Sequence, residues 1–80
     1  MAKKEDLGLW ILEALRANNG QATLLEICKY VWQNYENELR TSGDLFYTWQ
    51  YEIRWQATYL RKEGLMKDAN LSPKGVWEIA

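Results

Sequence analysis

Apolar positions along this chain form three helical stripes and then two short extended runs. Leu7, Trp10, Ile11, Ala14 and Leu15 recur at three and four residues, which places them on one helix face. Asp6 stands just ahead, where a carboxylate accepts hydrogen bonds from the free N–H groups of a helix starting at Leu7, and Asn18-Asn19-Gly20 ends that helix. Thr23-Leu24-Leu25-Glu26 is a capping box, so a second helix starts there, and its stripe of Leu24, Ile27, Cys28, Val31 and Tyr35 reaches at least Tyr35. Glu36 to Arg40 is expected to fray into solvent.

Thr41-Ser42-Gly43-Asp44 has the chemistry of a loop, and either Asp44 or Thr48 caps the helix that follows. Ile53, Ala57 and Leu60 mark one face of this third helix, with Leu65 beyond it and Gly64 as its left-handed terminator. Leu65-Met66-Lys67 and Gly75-Val76-Trp77-Glu78-Ile79 read as strands joined by a turn over 70–75, and Gln21-Ala22 offers a third strand. The order helix, helix, helix, hairpin predicts an α+β fold, a small winged helix-turn-helix with three helices followed by a β-hairpin wing. In that layout helix three is presented to the major groove and the hairpin lies against the DNA backbone. No repeat or linker interrupts the chain, so residues 1–80 are read as one domain.

Composition narrows the function. A hydrophobic share of 48%, with five Trp and five Tyr, allows a small core built from large side chains and argues against disorder. Cys28 is the only cysteine and there is no histidine, so neither an intramolecular disulfide nor a zinc site is expected. No apolar run approaches bilayer length and Met1 to Asp6 lacks a signal core, so the expectation is a reduced, cytoplasmic protein without membrane contact. The net charge of −1 argues against gripping nucleic acid by overall electrostatics. Its distribution matters more: between Tyr47 and Gly75, Arg54, Arg61, Lys62, Lys67 and Lys74 face only Glu52, Glu63 and Asp68.

Catalytic constellations are not found. Without histidine there is no base beside a nucleophile, Cys28 occupies an apolar helix position as core filling, and the acidic residues Glu36, Glu38 and Asp44 do not suggest a magnesium site. The five glycines are read as sitting singly at turns and helix ends rather than in a phosphate-binding loop. No enzyme activity, cofactor or metal is therefore expected.

Helix three carries the binding chemistry. Gln50, Arg54, Thr58 and Arg61 repeat at three or four residues, on a face opposite or oblique to the Ile53 stripe. Arg pairs with guanine O6 and N7 and Gln pairs likewise with adenine, so Gln50 and Arg54, nearest the helix N-terminus, are the candidate base readers. Arg61 and Lys62 suit phosphate contacts, Lys67 and Lys74 flank the hairpin turn beside the backbone, and Thr48 and Tyr47 are placed to donate to phosphate oxygens, with Tyr47 equally suited to packing. The competing reading is an ordinary solvated helix face. Among the aromatics, Trp10 and Trp77 are expected in the core, and so are Trp55 and Tyr59, whose alternative is an exposed protein-docking pair.

Two segments carry a family resemblance. Tyr51-Glu-Ile-Arg-Trp-Gln-Ala-Thr-Tyr-Leu-Arg-Lys-Glu-Gly-Leu-Met66 and Ser72-Pro-Lys-Gly-Val-Trp-Glu-Ile79 resemble the N-terminal winged-helix domain of Mrr-type restriction proteins. That family's third helix reads Arg-Trp-Ala-x-x-Tyr-Leu-Lys-Lys-x-Gly-Leu and its wing ends in Gly-Val-Trp; Arg54, Trp55, Tyr59, Leu60, Gly64, Leu65, Gly75, Val76 and Trp77 match. Gln56 departs from the pattern, where the family tends to a small residue. The resemblance implies double-stranded DNA as the partner and prokaryotic defence, restriction or regulation as the setting. Since the family's nuclease domain does not follow before Ala80, it implies the recognition part alone, either free-standing or from a longer protein, working as a homodimer or with a separate effector or nuclease domain. A protein-protein or dimerisation module without DNA binding is the alternative, suggested by the acidic pI and surplus aromatics.

Overall fold

In the computed structural model, which describes residues 2–80, three helices pack beside a two-stranded antiparallel sheet, giving an α+β fold. The elements are α1 Lys4–Ala17, β1 Gln21–Thr23, α2 Leu24–Arg40, α3 Leu45–Lys62 and β2 Val76–Glu78, with a short 3-10 turn at Ala69–Leu71. β1 pairs with β2 in the register Gln21↔Glu78, Ala22↔Trp77 and Thr23↔Val76. The offered third strand is therefore the one that forms. Leu65-Met66-Lys67, expected as a strand, is reduced to the bridge Met66↔Ile79, with the Lys67 N–H donating to the Glu78 carbonyl at 2.9 Å.

Local chemistry sets most boundaries. α1 begins at Lys4 rather than Leu7, because Asp6 works from inside the first turn: its carboxylate accepts the Lys3 N–H at 2.9 Å. The predicted capping box opens α2, with the Thr23 N–H donating to Glu26 at 2.8 Å and the Glu26 N–H to the Thr23 hydroxyl at 3.2 Å. These bonds hold the Glu26 carboxyl below the usual carboxylate range. Gly64, at φ 78°, ends α3 as expected: the Leu65 N–H donates to the Leu60 carbonyl and the Gly64 N–H to that of Arg61, satisfying two carbonyls the helix leaves free.

Leu7, Ile11, Leu15, Ile27, Val31, Leu39 and Ile53 form the fully buried centre, and α1 packs most extensively on α3. Leu39 corrects the expectation of a frayed end, since α2 continues to Arg40. The helix breaks at Tyr35 (φ −131°, ψ 22°), and one residue earlier the Asn34 amide donates to the Tyr30 carbonyl at 2.8 Å, a side-chain donor inserted into the backbone ladder. Steps of four residues drift by about 40° each around a regular helix, so from Ile27 the stripe rotates out of the core by Leu39. The break returns it.

Four further expectations are corrected. Trp10 and Trp77 are half-buried at the edge of the core, and Trp49 is the tryptophan inside it. Trp55 and Tyr59 are exposed rather than packed. Leu65 is exposed while Met66 is buried, because the chain reverses at Gly64 and leaves the helical period. Gly8 sits buried inside α1, where a Cβ would come within 3.3 Å of the Gln56 side-chain oxygen. The longer side chain at position 56 is thus accommodated by the missing one at position 8.

Candidate nucleic-acid interface

α3 begins without a side-chain cap. Asp44 occupies the N-cap position, the N–H of Phe46 and of Tyr47 donate to the carbonyls of Gly43 and Asp44, and the Thr48 hydroxyl donates to the Asp44 carbonyl at 3.4 Å. Thr48 therefore lies in the first turn. Below it, Leu45, Trp49, Ile53, Ala57 and Leu60 bury the inner face and fix the rotation of the helix.

That rotation decides which predicted residues come together. At about 100° per residue, Gln50, Arg61, Arg54 and Thr58 fall within an arc of about 80°. Gln50 and Arg54 are exposed, and Thr58 and Arg61 are partly so. Lys62 lies about 80° and Thr48 about 120° beyond Arg54 on the same flank, so neither shares the Gln50 face.

Two groups in this set have structural partners. The Arg61 Nε donates to the Lys67 carbonyl at 3.2 Å, and its guanidinium lies over the Trp77 ring at 5.5 Å, tying α3 to the C-terminal ribbon. The Lys67 ammonium pairs with Glu78 at 3.5 Å, which offsets the cation expected of the hairpin. Arg54, Lys62 and Lys74 form no ion pair among the described residues.

Sequence reasoning passed over Lys29. It stands exposed on α2, lining with Cys28, Trp32, Phe46, Trp49 and Gln50 a groove between α2 and α3. Its only signal was a polar position between the stripe residues Cys28 and Val31, which any solvated face also gives. A second groove on the outer side of α3 is lined by Tyr51, Arg54, Trp55 and Thr58. Neither lining contains a carboxylate, so cations along this side of α3 act without local cancellation. Near the first groove the Arg40 guanidinium covers Trp32 and Phe46 but is held by Glu36 at 2.7 Å.

Burial pushes the Cys28 thiol up, with the Arg54 charge opposing this in part, which keeps the sulfur protonated at neutral pH. Among the described residues, no three His, Cys, Asp or Glu side chains gather as metal ligands would, and no helix is long and apolar enough to cross a membrane. No family model, curated protein or solved structure matches the chain.

Proposed function

We propose that this chain is a winged helix-turn-helix module that binds double-stranded DNA, with α3 as the recognition helix and the Met66–Ile79 ribbon as the wing against the backbone. The observation that carries the reading is the polar arc of α3: Gln50 and Arg54 stand exposed, flanked by Lys29 of α2, along grooves lined by no carboxylate. Gln and Arg are side chains that make paired hydrogen bonds to adenine and guanine edges, and a helix carrying both on one face can present them to the major groove together.

In this reading Lys29, Lys62 and Lys74 contact phosphates, while Arg61 holds the wing to α3. Thr58 donates to the Arg54 carbonyl at 3.3 Å and keeps its oxygen free to accept. The resemblance to Mrr-type recognition domains supports the same assignment. With so few free cations, the module acts as a homodimer or beside a nuclease or effector domain, without catalysis of its own, in prokaryotic restriction or regulation in the cytoplasm.

Anisotropy of a labelled duplex at low salt tests this. The chain binds, Arg54→Ala lowers affinity by about tenfold and Lys74→Ala by less, with circular dichroism unchanged. Absence of duplex binding at low salt, or equal binding by wild type and Arg54→Ala, overturns the proposal.

A further inference from the structure

α3 carries a second feature that duplex readout does not use. Tyr47, Tyr51, Trp55 and Tyr59 repeat every four residues and all stand exposed, Tyr51 at 62% and Trp55 at 48%. A helix rises about 1.5 Å per residue, so successive rings are about 6 Å apart along it, and the Tyr51 and Trp55 ring centroids lie 6.4 Å apart. Their planes are 66° apart, so the two rings present separate faces, each able to stack one base, rather than a continuous parallel stack.

Charge is asymmetric across this row of rings. Towards α1, Tyr51, Trp55 and Tyr59 share a groove with Glu5, Glu52 and Lys4, in which the Lys4–Glu52 pair at 3.6 Å leaves Glu5 as the carboxylate without a partner there. Towards α2 the border is Arg54 and Thr58, with no carboxylate in the groove they share with Tyr51 and Trp55, and Lys62 lies in line with the rings, between Tyr51 and Trp55 in rotation, at the C-terminal end of the helix. A polyanion laid along the rings is repelled from one side and held on the other, which sets where its backbone runs. Tyr59 lines only the groove with Glu5 and Glu52 and not the one with Arg54, so it falls outside that track.

We propose that the outer face of α3 binds an unpaired DNA strand, with bases stacked on Tyr47, Tyr51 and Trp55 and phosphates along Arg54 and Lys62. This rests on the reading of α3 as the nucleic-acid-facing helix. Stacking on aromatic side chains is sequence-tolerant, since every base has a π-face, so the face selects unpaired over paired DNA rather than one sequence over another. All three rings are already exposed, and removing them leaves the core intact.

The experiment compares an oligothymidine single strand with a perfect duplex, each labelled and titrated at low salt with wild type, Tyr51→Ala, Trp55→Ala and Trp55→Phe. The single strand binds wild type, each alanine variant weakens that binding by about tenfold, and Trp55→Phe largely restores it, while duplex affinity falls by clearly less than single-strand affinity. Duplex binding with no single-strand binding overturns this inference and leaves the duplex proposal standing. Ring-dependent single-strand binding without duplex binding supports the inference and sinks the duplex proposal. Single-strand affinity indifferent to ring removal overturns it, as does a dimer in sedimentation that dissociates in Trp55→Ala and binds no single strand.

Discussion

Tyr35 shows how one side chain can join two helices. Its ring stacks on Trp10 with centroids 4.0 Å apart and planes 7° from parallel, and its hydroxyl donates to the Glu13 carboxylate. That hydrogen bond, with burial and the Glu13 charge, pushes the Tyr35 phenol from the ordinary 10 up to about 12. Because the folded state favours the neutral phenol, the stabilisation is complete below pH 10 and is lost as pH rises from 10 through 12. Urea midpoints of wild type should fall across that interval more steeply than those of Tyr35→Phe. At neutral pH the same substitution keeps the stack and costs about 1 kcal/mol, read from urea unfolding. Gly8 gives a residue-scale test of opposite sign. Gly8→Ala removes a helix-interior glycine, and the nearest atom, the far end of Gln56, can move aside, so thermal unfolding should show a gain of up to about 1 kcal/mol. Gly8→Leu instead forces α1 from α3 and should cost about 1–3 kcal/mol.

Among elements, those governed by local rules were legible in the sequence. The Thr23–Glu26 box, the Gly64 terminator and the Ile53-Ala57-Leu60 stripe stand where residue spacing placed them, and with them the order of the three helices. What spacing missed depends on contacts between elements. Leu39 reaches the core only through the break at Tyr35, Trp49 is buried because α3 is rotated against both α1 and α2, and the Leu65–Lys67 run, held between the reversal at Gly64 and the 3-10 turn at Ala69–Leu71, pairs through one bridge. The candidate face of α3 was legible as a polar repeat, but the partners of Arg61 and Lys67 and the nearness of Lys29 were not, since all three follow from tertiary placement. Leu39→Ala separates the two pictures of α2. A frayed end would lose little, whereas the buried position should cost about 2–5 kcal/mol in urea unfolding, comparable to Ile27→Ala.

At the scale of the whole molecule, a net charge of −1 sets the electrostatic character of any DNA complex. The proposed contacts count Lys29, Arg54, Lys62 and Lys74, four cations without an ion-pair partner among the described residues. Neutralising three or four phosphates gives a slope of about −3 in log affinity against log salt concentration, so binding by an isolated copy should fade as salt approaches physiological strength. Linking two copies through a flexible spanning tether should restore it by avidity, which anisotropy at moderate salt reads directly.

The placement of the interface on α3 is tested most directly by a two-dimensional amide NMR titration of the labelled chain with duplex DNA at low salt. The largest shifts are predicted along residues 47–62, centred on Gln50 and Arg54, with a second group at Lys67 and Lys74 and little change along the outer face of α1 from Leu9 to Arg16. Shifts confined to α1, or spread evenly over the molecule without a centre on α3, would contradict that placement.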